Sequence, residues 1–402
     1  MNFLLIPLLF LIWRTFDFLI IFFSQKVIPY LGFFSYKDDL PRFNLPNWLS
    51  SLANFDGIHY IKIAKNGYSQ YEQAFFPLYS ILIKFLTPLF SNNQLLTGII
   101  ISNISFCLGL WIFAKYLKIE NWKLKIWPLI FLMAFPTSFF FGAVYTEGLF
   151  FLLLVSTLYF LKKEKYLLVI IFAFLTSLTR FVGVFLIIPI LFHLIQKSLR
   201  LRSGQAKIKS FLYFILNTKY FILILSPLLG LCLYCFYLFK TTGDPLFFFS
   251  SQPAFGASRS THLISFLQVY WRYFKIFITA RWNFQYFVSI IEFSFFSFVL
   301  LILILDLFKN LKISNWKLIR NLKFEIKNYD LLGLNLFSLI NLTLPTLTGT
   351  FLSIPRFSLM SLSFFIYLSQ IKNVFIKYLI LGIFLILHIL LLGYFTQGYF
   401  IS

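Results

Sequence analysis

The sequence contains little charge and few side chains that bind metals. Only 12% of its 402 residues are charged, and it has three cysteines and four histidines. The histidines are far apart, and no two acidic residues have the D-x-D spacing that often holds a divalent ion. The sequence therefore predicts no metal site and no bound cofactor.

The three cysteines, Cys107, Cys232 and Cys235, all fall within apolar runs. The last two have the C-x-x-C spacing of redox and zinc sites, but no second such pair and no pair of histidines accompanies them. We therefore expect buried, unpaired thiols.

Apolar residues are abundant instead. They make up 60% of the chain, with 58 phenylalanines and a mean hydropathy of +0.85. Runs of about 20 apolar residues recur from end to end, and a helix of that length crosses a bilayer core of roughly 30 Å. The sequence thus predicts an all-α polytopic membrane protein, with residues 1–402 forming a single integral membrane domain.

About eleven transmembrane helices are predicted. The first is interpreted as a retained helix because it lacks a basic start and a small-residue cleavage site, and its charges Arg14 and Asp17 should pair inside the bundle. The apolar stretch 77–90 is too short to span and is predicted to lie in the interface. The predicted spans are 3–24, 94–114, 126–142, 144–161, 166–180, 182–196, 220–240, 284–308, 331–352, 357–371 and 374–395.

The basic residues indicate the orientation. With the N-terminus in the cytoplasm, 21 of the 35 lysines and arginines lie in short cytoplasmic loops, as the positive-inside rule requires. This explains the net charge of +22 without nucleic acid. The cytoplasmic loops are then 115–125, 162–165, 197–219, 309–327 and 372–377, and the two long outer loops are 25–93 and 240–283.

The polar stretches that differ most from ordinary connecting loops fall on the outer side. The first, NFDGIHYIKIAKNGY at 54–68, predicts a short helix over 57–66 with Asp56 as its N-cap and Gly67 as a left-handed stop. From these residues alone, Asp56 is either such a cap or a catalytic carboxylate.

The same stretch carries a family resemblance. The pattern D-G-x-H-Y-x-x-I-A-x-x-G-Y followed by F-F-P-L-Y resembles the first outer loop of the GPI mannosyltransferase 2 family and its prokaryotic homologues. Phe55 stands at the usual tryptophan position and Ser80 where proline is usual. Weaker matches follow in order along nearly the whole chain: Pro136, Thr137, Ser138, Tyr145, Thr146, Glu147, Thr179, Arg180, Gly183, Gly243, Asp244, Pro245, Arg356 and Phe357.

The resemblance implies a glycosyltransferase of the multi-spanning type C fold, used in glycolipid biosynthesis. It implies a polyprenyl or dolichyl phosphate sugar as donor, with mannose the usual sugar. The acceptor is expected to be a lipid-linked or surface glycan on the non-cytoplasmic face. The protein would then lie in the plasma membrane of a prokaryote or in the endoplasmic reticulum of a eukaryote.

Such a transfer needs a base for the acceptor hydroxyl and positive charge for the departing phosphate. Asp56 is the predicted base. Glu147 either binds sugar hydroxyls or stabilises the start of a helix, and Asp244 either binds sugar hydroxyls or forms a turn. The arginines bind either the donor phosphate or lipid headgroups. The predicted substrate-binding residues are His59, Tyr60, Tyr68, Glu147, Arg180, Asp244, Arg259 and Arg356.

Two other functions fit parts of the sequence. A permease or flippase for lipid-linked sugars would keep its ionisable residues near the bilayer midplane, whereas most of them lie here at the outer boundary. A relative of protein O-mannosyltransferases would present an acidic pair in the first loop, for which Asp38 and Asp39 are a poorly placed counterpart.

Overall fold

The computed structural model describes residues 5–32, 37–119, 126–200, 217–255, 259–314, 323–326 and 328–401. The predicted cytoplasmic loops 115–125, 197–219 and 309–327 therefore lie partly outside the described residues. The helices are α1 (Leu5–Val27), α2 (Asn47–Ser50), α3 (Asp56–Asn66), α4 (Pro77–Leu86), α5 (Gln94–Ile119), α6 (Trp127–Ala134), α7 (Glu147–Lys162), α8 (Tyr166–Thr179), α9 (Ile187–Arg200), α10 (Thr218–Thr242), α11 (Phe247–Ser250), α12 (Phe266–Thr279), α13 (Phe284–Asn310), α14 (Tyr329–Thr343), α15 (Ile354–Phe357), α16 (Leu362–Ser369) and α17 (Val374–Thr396).

The protein is a mainly α-helical integral membrane protein. Within the described residues, seven helical segments are long and apolar enough to cross a bilayer: α1, α5, Phe181–Leu199, α10, α13, Tyr329–Thr348 and α17. The other four predicted spans correspond to the shorter helices α6, α7, α8 and α16. The figure of eleven crossings stays a prediction.

One element departs from the all-α prediction. Strand β1 (Leu311–Ser314) pairs antiparallel with β2 (Lys323–Ile326) in the segment predicted to be a cytoplasmic loop. Strand β1 begins directly after the last residue of α13.

The bundle forms around buried aromatic rings. Helix α5 packs on α7, α7 on α8 and α8 on α10, while α9 packs on α14 and α1 on α17. At the start of α7, Gly148 lets the helix approach α5 closely. A β-carbon there would lie 2.5 Å from the Ser102 carbonyl oxygen and 2.8 Å from that of Phe141.

Gly148→Ala is therefore expected to destabilise the protein by about 1–3 kcal/mol, since backbone atoms cannot rotate away from the added methyl group. It should also displace the neighbouring Glu147. Thermal unfolding in detergent measures the effect, with Gly382→Ala as the control because nothing lies within 4 Å of that site. Equal melting temperatures for the two variants would contradict the close packing of α5 and α7.

The predicted pairing of Arg14 with Asp17 is confirmed. Arg14 Nη1 lies 3.2 Å from Asp17 Oδ2, and the other carboxylate oxygen lies 2.8 Å from Nε2 of His388 in α17. Arg14 Nη2 also donates to the Gly142 carbonyl oxygen at 2.8 Å. This network joins both end helices to the loop before α7.

Asp17→Asn should lower stability by roughly 3 kcal/mol, because it leaves the buried Arg14 cation without a counter-charge. The side chain of Asp17 is fully buried, whereas Asp38 is exposed, so Asp38→Asn is the matched control. Thermal unfolding of the two purified variants gives the comparison. An Asp17→Asn protein as stable as the control would show that the Arg14–Asp17 pair does not stabilise the fold.

The expected burial of the cysteines is wrong, because none of the three is fully buried. All three are free, but Cys232 is exposed on α10, while Cys107 and Cys235 are half-buried. Because α10 is a candidate span, the exposed face of Cys232 is one that lipid would cover.

Candidate active site

The short helix predicted at 57–66 is confirmed as α3, but Asp56 is not its N-cap. The capping residue is Phe55, and Asp56 is the first helical residue, with its carboxylate bonded to a distant arginine. Gly67 ends the helix with a φ of 82° and a ψ of −175°. Its φ is positive as predicted, although its ψ is extended and not left-handed helical.

Phe55 itself has a strained backbone, with φ 57° and ψ −115°. A residue with a β-carbon holds such a conformation only where its surroundings impose it. The ring of Phe55 packs on Phe395 and Phe400, and the Asn54 side chain donates to the Phe395 carbonyl oxygen at 2.9 Å. Tyr145 donates to the Asn54 carbonyl oxygen at 2.8 Å. These contacts fix the direction of Asp56.

A second strained residue precedes the helix that carries Arg356. Ser353 is left-handed, with φ 67° and ψ 5°, and its backbone N–H donates to the carboxylate of Glu292. Glu292 also accepts a 2.6 Å hydrogen bond from Tyr273. The sequence analysis missed Glu292 because it lies inside an apolar run, yet a lone carboxylate in a membrane helix is itself a functional signal.

Arg356 links two carboxylates that are distant from it and from each other in the sequence. Its Nη1 lies 2.8 Å from Asp56 Oδ2, and its Nε lies 3.5 Å from Glu147 Oε1. The same Glu147 oxygen accepts a 2.8 Å hydrogen bond from Arg180 Nη1. The result is a chain of alternating charges, Asp56, Arg356, Glu147 and Arg180.

Aromatic rings hold the arginines of this chain in place. The guanidinium carbons of Arg180 and Arg356 lie 5.0 Å and 5.3 Å from the centre of the Phe357 ring. Phe140 and Tyr145 contact Arg356 from other sides, each at 5.4 Å. Cation–π contacts of this kind strengthen when water is excluded.

The charges determine the ionisation of Asp56. Burial alone would raise the pKa of its carboxyl, but the charge and hydrogen bond of Arg356, helped by His59 and Arg259, hold that pKa below its ordinary value. In turn, although burial opposes it, the negative charges of Asp56 and Glu147 raise the pKa of Arg356. Asp56 is therefore ionised at neutral pH in this state.

Glu147 is the most buried of the four alternating charges, with a side chain 2% exposed. It is the first residue of α7, as predicted, so its charge lies at the positive end of that helix. Its Oε2 has no hydrogen-bond partner among the described residues. Glu147 thus both starts a helix and bridges two arginines.

These residues line one cavity of about 310 Å³. Arg259 joins it from the second long outer loop, where its Nη1 donates to Gln252 Oε1 at 2.8 Å. Three arginines therefore face two carboxylates. The predicted residues on the cavity wall are Asp56, Tyr60, Glu147, Arg180, Arg259 and Arg356, and an apolar wall of Phe76, Phe181, Val182, Phe248, Phe249 and Leu263 continues from them.

Three predicted substrate-binding residues do not line this cavity. His59 bonds Glu72 through Nδ1 at 2.9 Å and stacks on Phe75, while Tyr68 donates to the Phe75 carbonyl oxygen at 2.7 Å. Both therefore brace the loop that follows α3.

Asp244 is the third predicted substrate-binding residue that does not line the cavity. Its carboxylate accepts from the Leu246 N–H at 2.8 Å and from the Ser250 hydroxyl at 3.1 Å. These are the contacts of a turn that starts α11, so the structural role considered for Asp244 is the one that the geometry favours.

The acidic pair Asp38 and Asp39 is also away from the cavity. Asp39 forms ion pairs with Arg42 at 3.0 Å and with Lys62 at 2.5 Å. It lines a separate cavity on another face of α3. This placement gives no support to the comparison with protein O-mannosyltransferases.

Within the described ranges, no group of three or more His, Cys, Asp or Glu side chains is arranged to hold a metal ion. The chemistry available at the cavity is that of one half-buried carboxylate, a bridging carboxylate and three guanidinium groups beside an apolar wall. Compared with models of known protein families the chain matches none, and no curated protein matches it either.

Proposed function

We propose that this protein is an inverting glycosyltransferase of the type C fold. It transfers a hexose, with mannose as the first candidate, from a polyprenyl or dolichyl phosphate to a lipid-linked or surface glycan. The observation that carries the proposal is that Asp56 and three arginines line one cavity whose other wall is apolar. A carboxylate, a phosphate-binding set and a lipid-compatible surface are the three parts that this reaction needs.

The arginines suit the donor phosphate. A guanidinium group donates two parallel hydrogen bonds to phosphate, and three arginines against two carboxylates leave a net positive charge. Glu147 holds Arg180 and Arg356 near each other before the donor arrives. The isoprenoid tail would lie along the wall that includes Phe181 and Phe248.

Asp56 serves as the base. The acceptor oxygen attacks the anomeric carbon on the side opposite the phosphate, the bond from that carbon to the phosphate oxygen breaks, and the phosphate leaves with the electron pair. The acceptor proton passes to Asp56. A carboxylate paired with Arg356 is a weak base, so the donor phosphate must draw Arg356 away, after which burial raises the pKa of Asp56.

The predicted topology places this chemistry on the non-cytoplasmic face. With a cytoplasmic N-terminus and eleven crossings, α3, the interfacial segment 77–90 and the loop carrying Arg356 are all outside. The host membrane is then the plasma membrane or the endoplasmic reticulum. Accessibility labelling of a cysteine placed at Asn66, which is exposed, would test the side directly.

The test of the function is direct transfer. Membranes containing the protein should convert labelled polyprenyl phosphomannose into a labelled lipid or glycan product, and Asp56→Asn membranes should not. The matched control is the same assay with a nucleotide-sugar donor, which should give no product. Product formation that does not depend on Asp56 would contradict the proposal.

The permease or flippase alternative is not favoured by the geometry. In a permease or flippase, ionisable groups would line a path through the bilayer. Here the membrane residues Arg14, Asp17 and His388 are at most 5% exposed and line neither cavity. They pair with one another instead.

A further inference from the structure

A second cavity, of about 430 Å³, lies against the other face of α3. Asp56 and Tyr60 point to one side of the helix, while Ile58, Lys62 and Lys65 line the second cavity from the opposite side. No described residue lines both cavities. The second cavity is therefore a site of its own, and the proposed sugar transfer makes no use of it.

The second cavity carries an excess of positive charge. Its lining includes Arg42, Lys62 and Lys65 but a single carboxylate, Asp39. Asp39 pairs with Arg42 at 3.0 Å and with Lys62 at 2.5 Å. Lys65 has no ion-pair partner in the part of the chain that the structure describes. The described lining thus carries a net charge of +2, which favours an anion.

Amide side chains surround these cations. Carboxamides both donate and accept hydrogen bonds, and so they suit a ligand that carries hydroxyl groups. The cavity therefore fits a phosphate ester with a hydroxylated substituent better than a bare inorganic ion. The amides available to a ligand are those of Asn44, Asn66, Asn92 and Gln94, since Asn93 donates to the Phe43 carbonyl oxygen and accepts from the Leu96 N–H at the start of α5.

The position of the cavity relative to the membrane helices identifies the source of such a ligand. Its lining ends at Gln94, where the candidate span α5 begins, so it lies at the level of the lipid headgroups. Just before it in the chain, Phe85 and Leu89 are 74% and 72% exposed on the short apolar segment 77–89. Large apolar side chains with that exposure suit contact with acyl chains.

We propose that this cavity binds the phosphate and hydroxylated headgroup of an anionic membrane phospholipid. Lys62, Lys65 and Arg42 face the phosphate, the amides face the headgroup hydroxyls, and the acyl chains run beside Phe85 and Leu89. The bound lipid fixes the first outer loop to the bilayer surface. This proposal does not depend on the proposed sugar transfer, since the two cavities share no residue.

In the test, the purified full-length protein in detergent micelles is titrated with phosphatidylglycerol. Its melting temperature is measured at each lipid concentration. A ligand that binds the folded protein raises that temperature in a saturable way. Each lysine at an anionic headgroup contributes about 5-fold in affinity, so Lys62→Gln/Lys65→Gln should need about 25-fold more lipid for the same shift. Lys65→Arg should keep the response.

Lys84→Gln is the matched control, because Lys84 is an exposed lysine of the same outer segment that does not line the cavity. It should respond like the unchanged protein, and phosphatidylcholine should give no saturable shift. A double variant that responds normally would overturn the site. Equal stabilisation by glycerol phosphate would overturn the lipid as its ligand and point to a soluble phosphate ester instead.

Discussion

Asp56→Asn is expected to lower sugar transfer by about 10²–10⁴-fold while the protein still folds, because general-base catalysis contributes about that factor in rate. Asparagine has the same shape and can still accept a hydrogen bond from Arg356 Nη1, which lies 2.8 Å from the carboxylate. It cannot take a proton from the acceptor. The measurement is the initial rate with labelled polyprenyl phosphomannose, together with the melting temperature.

Asp244→Asn is the control for this variant. Asp244 is also an outer-loop aspartate, but its contacts are confined to the turn at α11, so its replacement should leave transfer near normal. An Asp56→Asn protein that keeps more than a tenth of the rate would exclude Asp56 as the base.

Asp56→Asn should also change how the stability of the fold depends on pH in acid. The pKa of Asp56 is lower in the folded protein than its ordinary value of about 3.9, so ionised Asp56 stabilises the fold at neutral pH. That contribution is lost only as the pH falls through the lowered pKa. Asp56→Asn should therefore be less sensitive to acid below about pH 4.

Arg356→Gln should have the second largest effect. It removes one donor to the departing phosphate, and losing one such contact costs about 10²–10³ in rate. It also removes the main charge that lowers the pKa of Asp56, so that pKa should rise. The acid limb of kcat/KM should therefore move to higher pH.

The pH profile separates these two roles of Arg356. Arg356→Lys keeps a positive charge and should leave the acid limb near its original position, although it loses the paired hydrogen bonds. Arg281→Gln is the control, because Arg281 is an exposed arginine of the second long outer loop. A profile for Arg356→Gln that superimposes on that of the unchanged protein would show that Arg356 does not control Asp56.

Local pattern was enough to predict much of the fold. Long apolar runs predicted the seven helices that are able to span, and the N-terminal part of NFDGIHYIKIAKNGY predicted α3 within one residue. The pairing of Arg14 with Asp17 followed from the cost of isolated charge in a membrane. Each of these features depends on neighbours in the chain.

The features that the sequence analysis missed depend on distant partners. Asp56 looked like an N-cap because its true partner, Arg356, lies 300 positions away. His59 looked available for substrate because nothing local indicated that Glu72 binds it. Glu292 was hidden in an apolar run, and only the fold shows that it supports the backbone of Ser353. Tertiary pairing of polar groups is not encoded in local periodicity.

The contacts of Phe55, Asn54 and Asp17 with α17 and the residues after it carry a consequence for biogenesis. Residues near the two ends of the chain jointly support the segment that carries Asp56, so its contacts cannot be complete until the ribosome has delivered α17 to the membrane. A nascent chain that has inserted only its first helices therefore carries Asp56 without its partner Arg356.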